Sequence, residues 1–290
     1  MFMLGKIQVG YLVSYDYELL KNSIPTIYKE SNTIFLAIDK ERKTWNGEFF
    51  TIDDTFFEWI DAFDVENKIV IYEDDFYVSS LTTMECEVRE RKMLSDKMGI
   101  GNWLIQIDAD EYFLDFSGFI NDLRKYDSFL KNPKENPVQI GCFLTHLYKY
   151  TNEGILYVEN LTRVLLATNY PNYKVGRKTK ARVIYTDKIL LHECLSRTED
   201  QLAFKLKNWG HNVQINNSFF EKWKLVNQEN YKTFKDFYYI EADTWKTLGY
   251  FPTKNIDEIK NYVSNNKVLR ISSLYLFFKN FGQWFKYLAK

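Results

Sequence analysis

The sequence is short of cysteine, of histidine and of any long hydrophobic run. Its three cysteines, Cys86, Cys142 and Cys194, are odd in number and far apart. That spacing is neither a disulfide framework nor a metal knuckle, and it points to a reducing compartment. No run of about 18 apolar residues occurs, so no helix is expected to span a bilayer. The opening segment "MFMLGKIQVGYLVSYDY" is too short and too polar to read as a signal peptide. Net charge is −1. That balance argues against nucleic acid as a partner, and against a two-metal nuclease, because a groove tracking a phosphate backbone would be basic. Internal repeats and low-complexity tracts are absent.

The 290 residues are long enough for one large domain or two small ones. Aromatics reach 18%, mostly Tyr and Phe. They suit an aromatic core, or a cleft that grips polar ligands with flat faces.

Periodicity divides the first half cleanly. Residues 7–15 read as a strand, 16–31 as a helix, and 33–39 as a buried strand ending in Asp39. A helix is expected over 53–63, with Asp53 or Asp54 near its cap. Strand 68–77, helix 82–100 and strand 102–113 follow. Alternating strands and helices predict an α/β fold, with a mostly parallel Rossmann-like sheet flanked by helices. The second half is less regular. Residues 116–126 read as a helix, 131–137 as a loop and subdomain seam, 138–150 and 180–187 as strands. Residues 196–211 read as a helix capped by Ser196 or Thr198.

The stretch "NWLIQIDADEYF" (102–113) runs apolar and then presents Asp108, Asp110 and Glu111. In open parallel sheets, ligands bind at the carboxyl ends of strands. Two carboxylates two residues apart on an extended chain point the same way. They repel unless a cation lies between them, and oxygen donors suit Mg²⁺ or Mn²⁺ with substrate phosphates. A solvated strand end is the plainer reading.

The longer segment "ERKMLSDKMGIGNWLIQIDADEYF" resembles the central motif of GT-A glycosyltransferases, in particular family 2-like enzymes that build lipopolysaccharide cores and capsular polysaccharides. The resemblance covers about residues 6–115, is patchier over 160–235 and is absent at the C-terminus. It implies a GT-A fold over 1–250, with a nucleotide-sugar half (1–115), an acceptor half (116–250) and a helical C-terminal extension (251–290). It implies transfer of a sugar from a nucleotide diphosphate donor, a UDP-sugar first, to a glycan or lipid-linked acceptor. By the same resemblance Asp108 and Asp110 hold Mn²⁺ or Mg²⁺ on the diphosphate, and Asp39 contacts the nucleoside. Tyr15 lies where the base is held, and Arg91 is the basic residue of the preceding helix. Arg91 also has a plain reading as an i,i+4 partner of Glu87. After the first strand the family carries a short polar loop, whereas this chain reads "SYDYELL", with Asp16 as its acid.

Three histidines exist: His146, His192 and His211. His192-Glu193, followed by a helix and His211, resembles the pattern of lipopolysaccharide core glucosyltransferases, and implies His192 and His211 as further metal ligands. An inverting transfer needs a general base for the acceptor hydroxyl. Glu193 and Asp200 are the two candidates, and Asp200 has a plain reading as a helix first-turn acid. The basic loop 170–182 is either solvated or a lid hinged at Gly176. Two other functions fit less well. A nucleotidyltransferase would show a Gly-rich basic loop after the first strand, and a non-catalytic carbohydrate-binding protein would not keep the paired acids.

From Lys260 to Lys290 there are six basic residues and no acid. Leu274, Leu276, Phe277, Phe278, Phe281, Trp284, Phe285 and Leu288 crowd the same tail. Residues 268–290 are therefore expected to lie at a lipid surface, or to dock on the domain or a partner subunit. With the reducing compartment, this implies a cytoplasmic protein, peripheral at the inner face of the plasma membrane.

Overall fold

A computed structural model describes residues 5–285. The first half alternates as its periodicity predicts: β1 (Ile7–Val13), α1 (Leu20–Ile27), β2 (Thr33–Asp39), α2 (Asp54–Phe63), β3 (Ile69–Asp74), α3 (Thr83–Met98) and β4 (Trp103–Asp108). These strands run parallel in the order β3-β2-β1-β4. Their faces separate by parity, as a pleated strand requires. Val9, Tyr11, Val13, Ile105 and Ile107 join α1 and α2 in the main core, while Leu12, Phe35, Ala37 and Leu104 pack against Leu94 and Met98 of α3. Each such side chain, fully buried, contributes about 1.5–3 kcal/mol. Gly10 allows α3 to close on β1, because a Cβ there would stand 2.8 Å from both Leu94 and Met98. Both caps are polar: Asp53 accepts from the Thr55 N–H, and Thr82 forms a capping box with Glu85.

The stretch 102–113 is two strands. β4 ends at Asp108, the chain turns at Ala109-Asp110, and β5 (Glu111–Phe113) leaves to pair antiparallel with another partner. After α4 (Phe116–Arg124) come the long β6 (Val138–Tyr150), then β7 (Ile155–Val158), β8 (Thr162–Thr168) and β9 (Arg182–His192). β7 and β8 were not expected from the sequence, and β9 runs five residues past its expected end. β8 pairs antiparallel with β4 and β6, and β9 pairs parallel with β6 and antiparallel with β5. One mixed sheet of ten strands therefore crosses both halves, with the parallel run β4-β1-β2-β3 forming one side of it and helices packed on its faces. Residues 131–137 hold no helix or strand, and the strands on either side belong to that one sheet.

α5 (Glu199–Asn208) is capped by Thr198, with Gln201 completing the box. α6 (Phe219–Leu225) and β10 (Leu248–Phe251) close an aromatic second core around Trp223, Phe237 and Trp245. The C-terminal part is helical, as expected: α7 (Ile256–Asn265) and α8 (Ser273–Trp284). α8 docks by its amides. Asn280 accepts from the Tyr185 N–H and donates to its carbonyl, and the Gln283 side chain accepts from the Val183 N–H. Lys286, Leu288 and Lys290 lie outside the described residues.

Candidate functional site

From β1 the chain winds outward through β2 to β3. α3 then carries it back to β4, on the other side of β1. The carboxyl ends of β1 and β4 thus flank a topological switch point, where open α/β sheets bind ligands. A cleft of about 360 Å³ opens there. Tyr15 and Asp16 line it after β1, Asp39 after β2, and Asp108, Asp110 and Glu111 after β4.

The carboxylates are met by the chain's own cations. The Asp108 carboxylate accepts from Arg91 Nη2 at 2.8 Å and lies 3.5 Å from Arg177 Nη2. Arg177 also grips Glu111 with two bonds of 2.6 Å, the bidentate geometry a guanidinium favours. Asp110 accepts from Lys205 Nζ at 2.5 Å and Arg197 Nη2 at 2.9 Å, and His192 Nε2 stands 3.5 Å away. Arg197 reaches Asp16 as well, at 3.3 Å. Burial opposes the charge on Asp108, but Arg177 and Arg91 outweigh it and hold the carboxyl down at about 2. Burial opposes Asp110 too, and Lys205, His192 and Arg197 hold it well below the usual carboxylate range. The His192 imidazole is raised well above its usual range. Burial disfavours its charge, and Cys194 and Asp110 overcome that. Asp16 moves the other way: burial raises it against the pull of Arg197 and Lys205.

The sequence placed a cation between the two aspartates to relieve their repulsion. The turn at Ala109-Asp110 instead hands each to its own set of side-chain cations, so neither needs a bound ion to stay charged. The donor set fits a hard divalent cation in part. Asp108 is a third exposed and faces the cleft. His211 also lines the cleft, and its Nδ1 meets Gln214 Oε1 at 2.9 Å, which leaves Nε2 as the ring atom for a ligand. Asp110 offers an oxygen only by giving up a cationic partner.

Asp39, Tyr15, Arg91, Asp108, Asp110, His192 and His211 all line this one cleft. Asp39 accepts four backbone N–H bonds, from Glu41, Lys43, Phe76 and Tyr77, and so ties the loops after β2 and β3 together. Tyr15 is held edge-on by Phe204 at 5.0 Å. Arg91 bonds Glu87 and Asp108 at once, so its two sequence readings coexist. Glu193 and Asp200 are not among the lining residues. Both oxygens of Glu193 accept phenols, Tyr112 and Tyr150, each at 2.5 Å. Asp200 is exposed in the first turn of α5.

Sequence reasoning missed the cations Lys205 and Arg197, and it left Arg177 inside a charge run. Arg177 is largely buried and fixes loop 170–182 as a wall of the cleft, while Lys174, Lys178 and Lys180 are exposed. The one signal in the sequence was the basic pair Lys205 and Lys207 on a helix whose first turn is acidic. No family model matches this sequence, and no curated protein matches it.

Proposed function

We propose that this chain is a glycosyltransferase of GT-A fold, similar to family 2 enzymes. It moves a sugar from a nucleoside diphosphate donor, a UDP-sugar first, to a glycan or lipid-linked acceptor of a bacterial surface polysaccharide, with inversion. The observation that carries this reading is the cleft at the β1/β4 switch point. Asp39, Tyr15, the Asp108–Glu111 run, Arg177 and Lys205 all line it. Breaking the anomeric C–O bond leaves an anionic diphosphate. Arg177 and Lys205, preorganised in a partly desolvated cleft, stabilise that charge as it develops. Mn²⁺ or Mg²⁺, when bound, adds positive charge at the same diphosphate. Asp108, Asp110, His192 and His211 would be its ligands by resemblance, but among the described residues their ligand atoms do not gather within 4.8 Å of one another, so they would have to draw together to hold it. Arg91 orients Asp108 from behind. The acceptor hydroxyl loses its proton to a carboxylate. With Glu193 pinned by two phenols and Asp200 outside the lining, two lining acids with raised pKa remain, Asp16 and Glu90; Glu90 is held by the Trp45 indole, so Asp16 is assigned that task.

The same proposal places the protein at the cytoplasmic face of a membrane. No helix among the described residues is long and apolar enough to cross one. α8 turns its amides to β9 and leaves Leu274, Phe277, Phe278 and Phe281 exposed. An aromatic face in a tail with six basic residues and no acid complements anionic headgroups.

The test is calorimetric titration of UDP and GDP into the protein, with and without Mn²⁺, and into Asp108→Asn. Metal-dependent binding of one nucleotide, lost in the variant, is expected. A folded wild type that binds neither nucleotide under any metal condition would sink the proposal.

A further inference from the structure

Behind the cleft's carboxylates lies a second cluster of a different chemical kind. His146 on β6 and His192 at the end of β9 sit directly opposite each other in the parallel register. Their Nδ1 atoms are 3.0 Å apart, and the Cys194 sulfur lies 3.7 Å from His146 Nδ1. All three ligand atoms fall within 4.8 Å of one another. Cys194 is buried, His146 is buried, and His192 is nearly so.

The facing nitrogens pose a proton problem. Asp110 Oδ1 stands 3.5 Å from His192 Nε2, so the carboxylate favours a proton on that nitrogen and turns Nδ1 toward His146. His146 packs on Trp245, and its Nε2 has no hydrogen-bond partner, so no side chain dictates which of its nitrogens is bare. Two Nδ1 atoms 3.0 Å apart are bridged either by a proton or by a metal ion. A proton bridges only the two nitrogens, and the Cys194 sulfur then keeps a single long contact of 3.7 Å to His146 Nδ1. A metal ion uses all three atoms. Tetrahedral Zn²⁺, with Zn–N of about 2.0–2.1 Å and Zn–S of about 2.3 Å, sets its ligand atoms roughly 3.3–3.6 Å apart. The observed 3.0 and 3.7 Å bracket that range.

We propose that His146, His192 and Cys194 form a binding site for a borderline-soft divalent cation, Zn²⁺ by preference, with the Asp110 carboxylate orienting His192 through its Nε2. Nitrogen and sulfur donors select it over Mg²⁺ or Mn²⁺, which take oxygen. On binding, the Cys194 thiol loses its proton to solvent and the sulfur takes the metal, so one proton is released. Three protein ligands leave one position open. Because His146 and His192 both line the cleft, that position faces a ligand rather than protein. The site stands whether or not the transferase proposal does, since it uses neither a nucleotide nor a sugar.

The test is titration of the metal-stripped full chain with Co²⁺, followed by displacement with Zn²⁺. One equivalent of Co²⁺ should bind with the d–d absorption of a tetrahedral ion and a thiolate charge-transfer band, and Zn²⁺ should remove both. Cys194→Ser should lose the charge-transfer band, whereas Cys86→Ser and Cys142→Ser should keep it. Asp110→Asn should weaken binding by about tenfold to a hundredfold. A folded wild type that binds no Co²⁺ would leave a proton as the occupant and overturn the site. So would Co²⁺ bound with no charge-transfer band, which would place the metal on the carboxylates, or a band that survives in Cys194→Ser.

Discussion

Asp110→Asn tests whether the chain's own cations, rather than a bound ion, hold the cleft together. The substitution keeps the shape of the side chain and removes its charge. Lys205 and Arg197, each only 7% exposed, would then face a neutral amide. Both were within 2.9 Å of the carboxylate, so both lose a charge-assisted bond in a poorly solvated place. Leaving a buried charge without its partner typically costs about 3–5 kcal/mol. At roughly 2–3 °C per kcal/mol for a chain of this size, Tm should fall by about 6–15 °C. The assay is thermal unfolding at pH 7 in chelator, so that no added metal contributes. Adding Lys205→Met to Asp110→Asn should recover part of the loss, because the orphaned ammonium is gone, and the coupling should exceed about 1 kcal/mol. The acid limb supplies a second readout. Asp110 and Asp108 both have folded pKa values below their ordinary ones, Asp108 at about 2. Their stabilisation is therefore present above about pH 4 and lost as pH falls through the folded values, and Asp110→Asn should flatten that loss. A change in Tm under about 2 °C, with no coupling to Lys205, would refute the reasoning and leave Asp110 free for an ion.

Two more predictions use parts of the molecule away from this pair. Burial raises the Glu90 carboxyl from 4.5 to about 8, against a hydrogen bond from Trp45. A raised acid favours the fold fully below pH 4.5 and loses that contribution as pH rises through 8, so Glu90→Gln should be more stable than wild type at pH 9 by about 4–5 kcal/mol. At pH 4 the two should converge in chemical denaturation. On α8, Phe277 and Phe281 are 59% and 51% exposed. The double change Phe277→Ser, Phe281→Ser should leave Tm within about 1–2 °C of wild type, yet reduce sedimentation with phosphatidylglycerol vesicles about tenfold or more. Equal sedimentation of both proteins, or a face that instead forms a dimer in light scattering, would remove the lipid assignment.

The outer shape of the first half was legible because its signals are local. β2 ends at Asp39 as the apolar run predicted, and α2 and α5 each begin at one of the two caps read from the sequence, Asp53 of Asp53 or Asp54 and Thr198 of Ser196 or Thr198. The carboxylates of the cleft were legible for the same reason, since each follows a strand. Their partners were not. Arg177 meets Glu111 across 66 residues, Arg197 meets Asp110 across 87, and Lys205 meets it across 95. Those distances close only through the pairing of β5 with β9 and the docking of α5, which no periodicity encodes. The pairing of His146 with His192 is likewise a matter of register between β6 and β9. β7, β8 and β10 were missed because four to seven residues of β-rich sequence among aromatics carry little period of their own.

The balance of charge around Asp110 also bears on how a divalent cation and a nucleotide would enter. Asp16, Glu87, Asp108, Asp110 and Glu111 are matched by Arg91, Arg177, Arg197, Lys205 and a His192 whose charged form is favoured. A free divalent cation would add positive charge to a balanced cleft and would have to pull Asp110 from Lys205 or Arg197. A nucleoside diphosphate alone would add negative charge, compete with the carboxylates for Arg177 and Lys205, and leave them unpaired. The two together nearly cancel. On the proposed function, each should therefore bind weakly alone and strengthen the other, and linkage makes the two factors equal. A factor of at least tenfold, about 1.4 kcal/mol, is expected, measured as Mn²⁺ affinity with and without UDP and as UDP affinity with and without Mn²⁺. Tight Mn²⁺ binding to the protein alone, unchanged by nucleotide, would mean that the carboxylates are open to the ion and that the side-chain cations do not hold them.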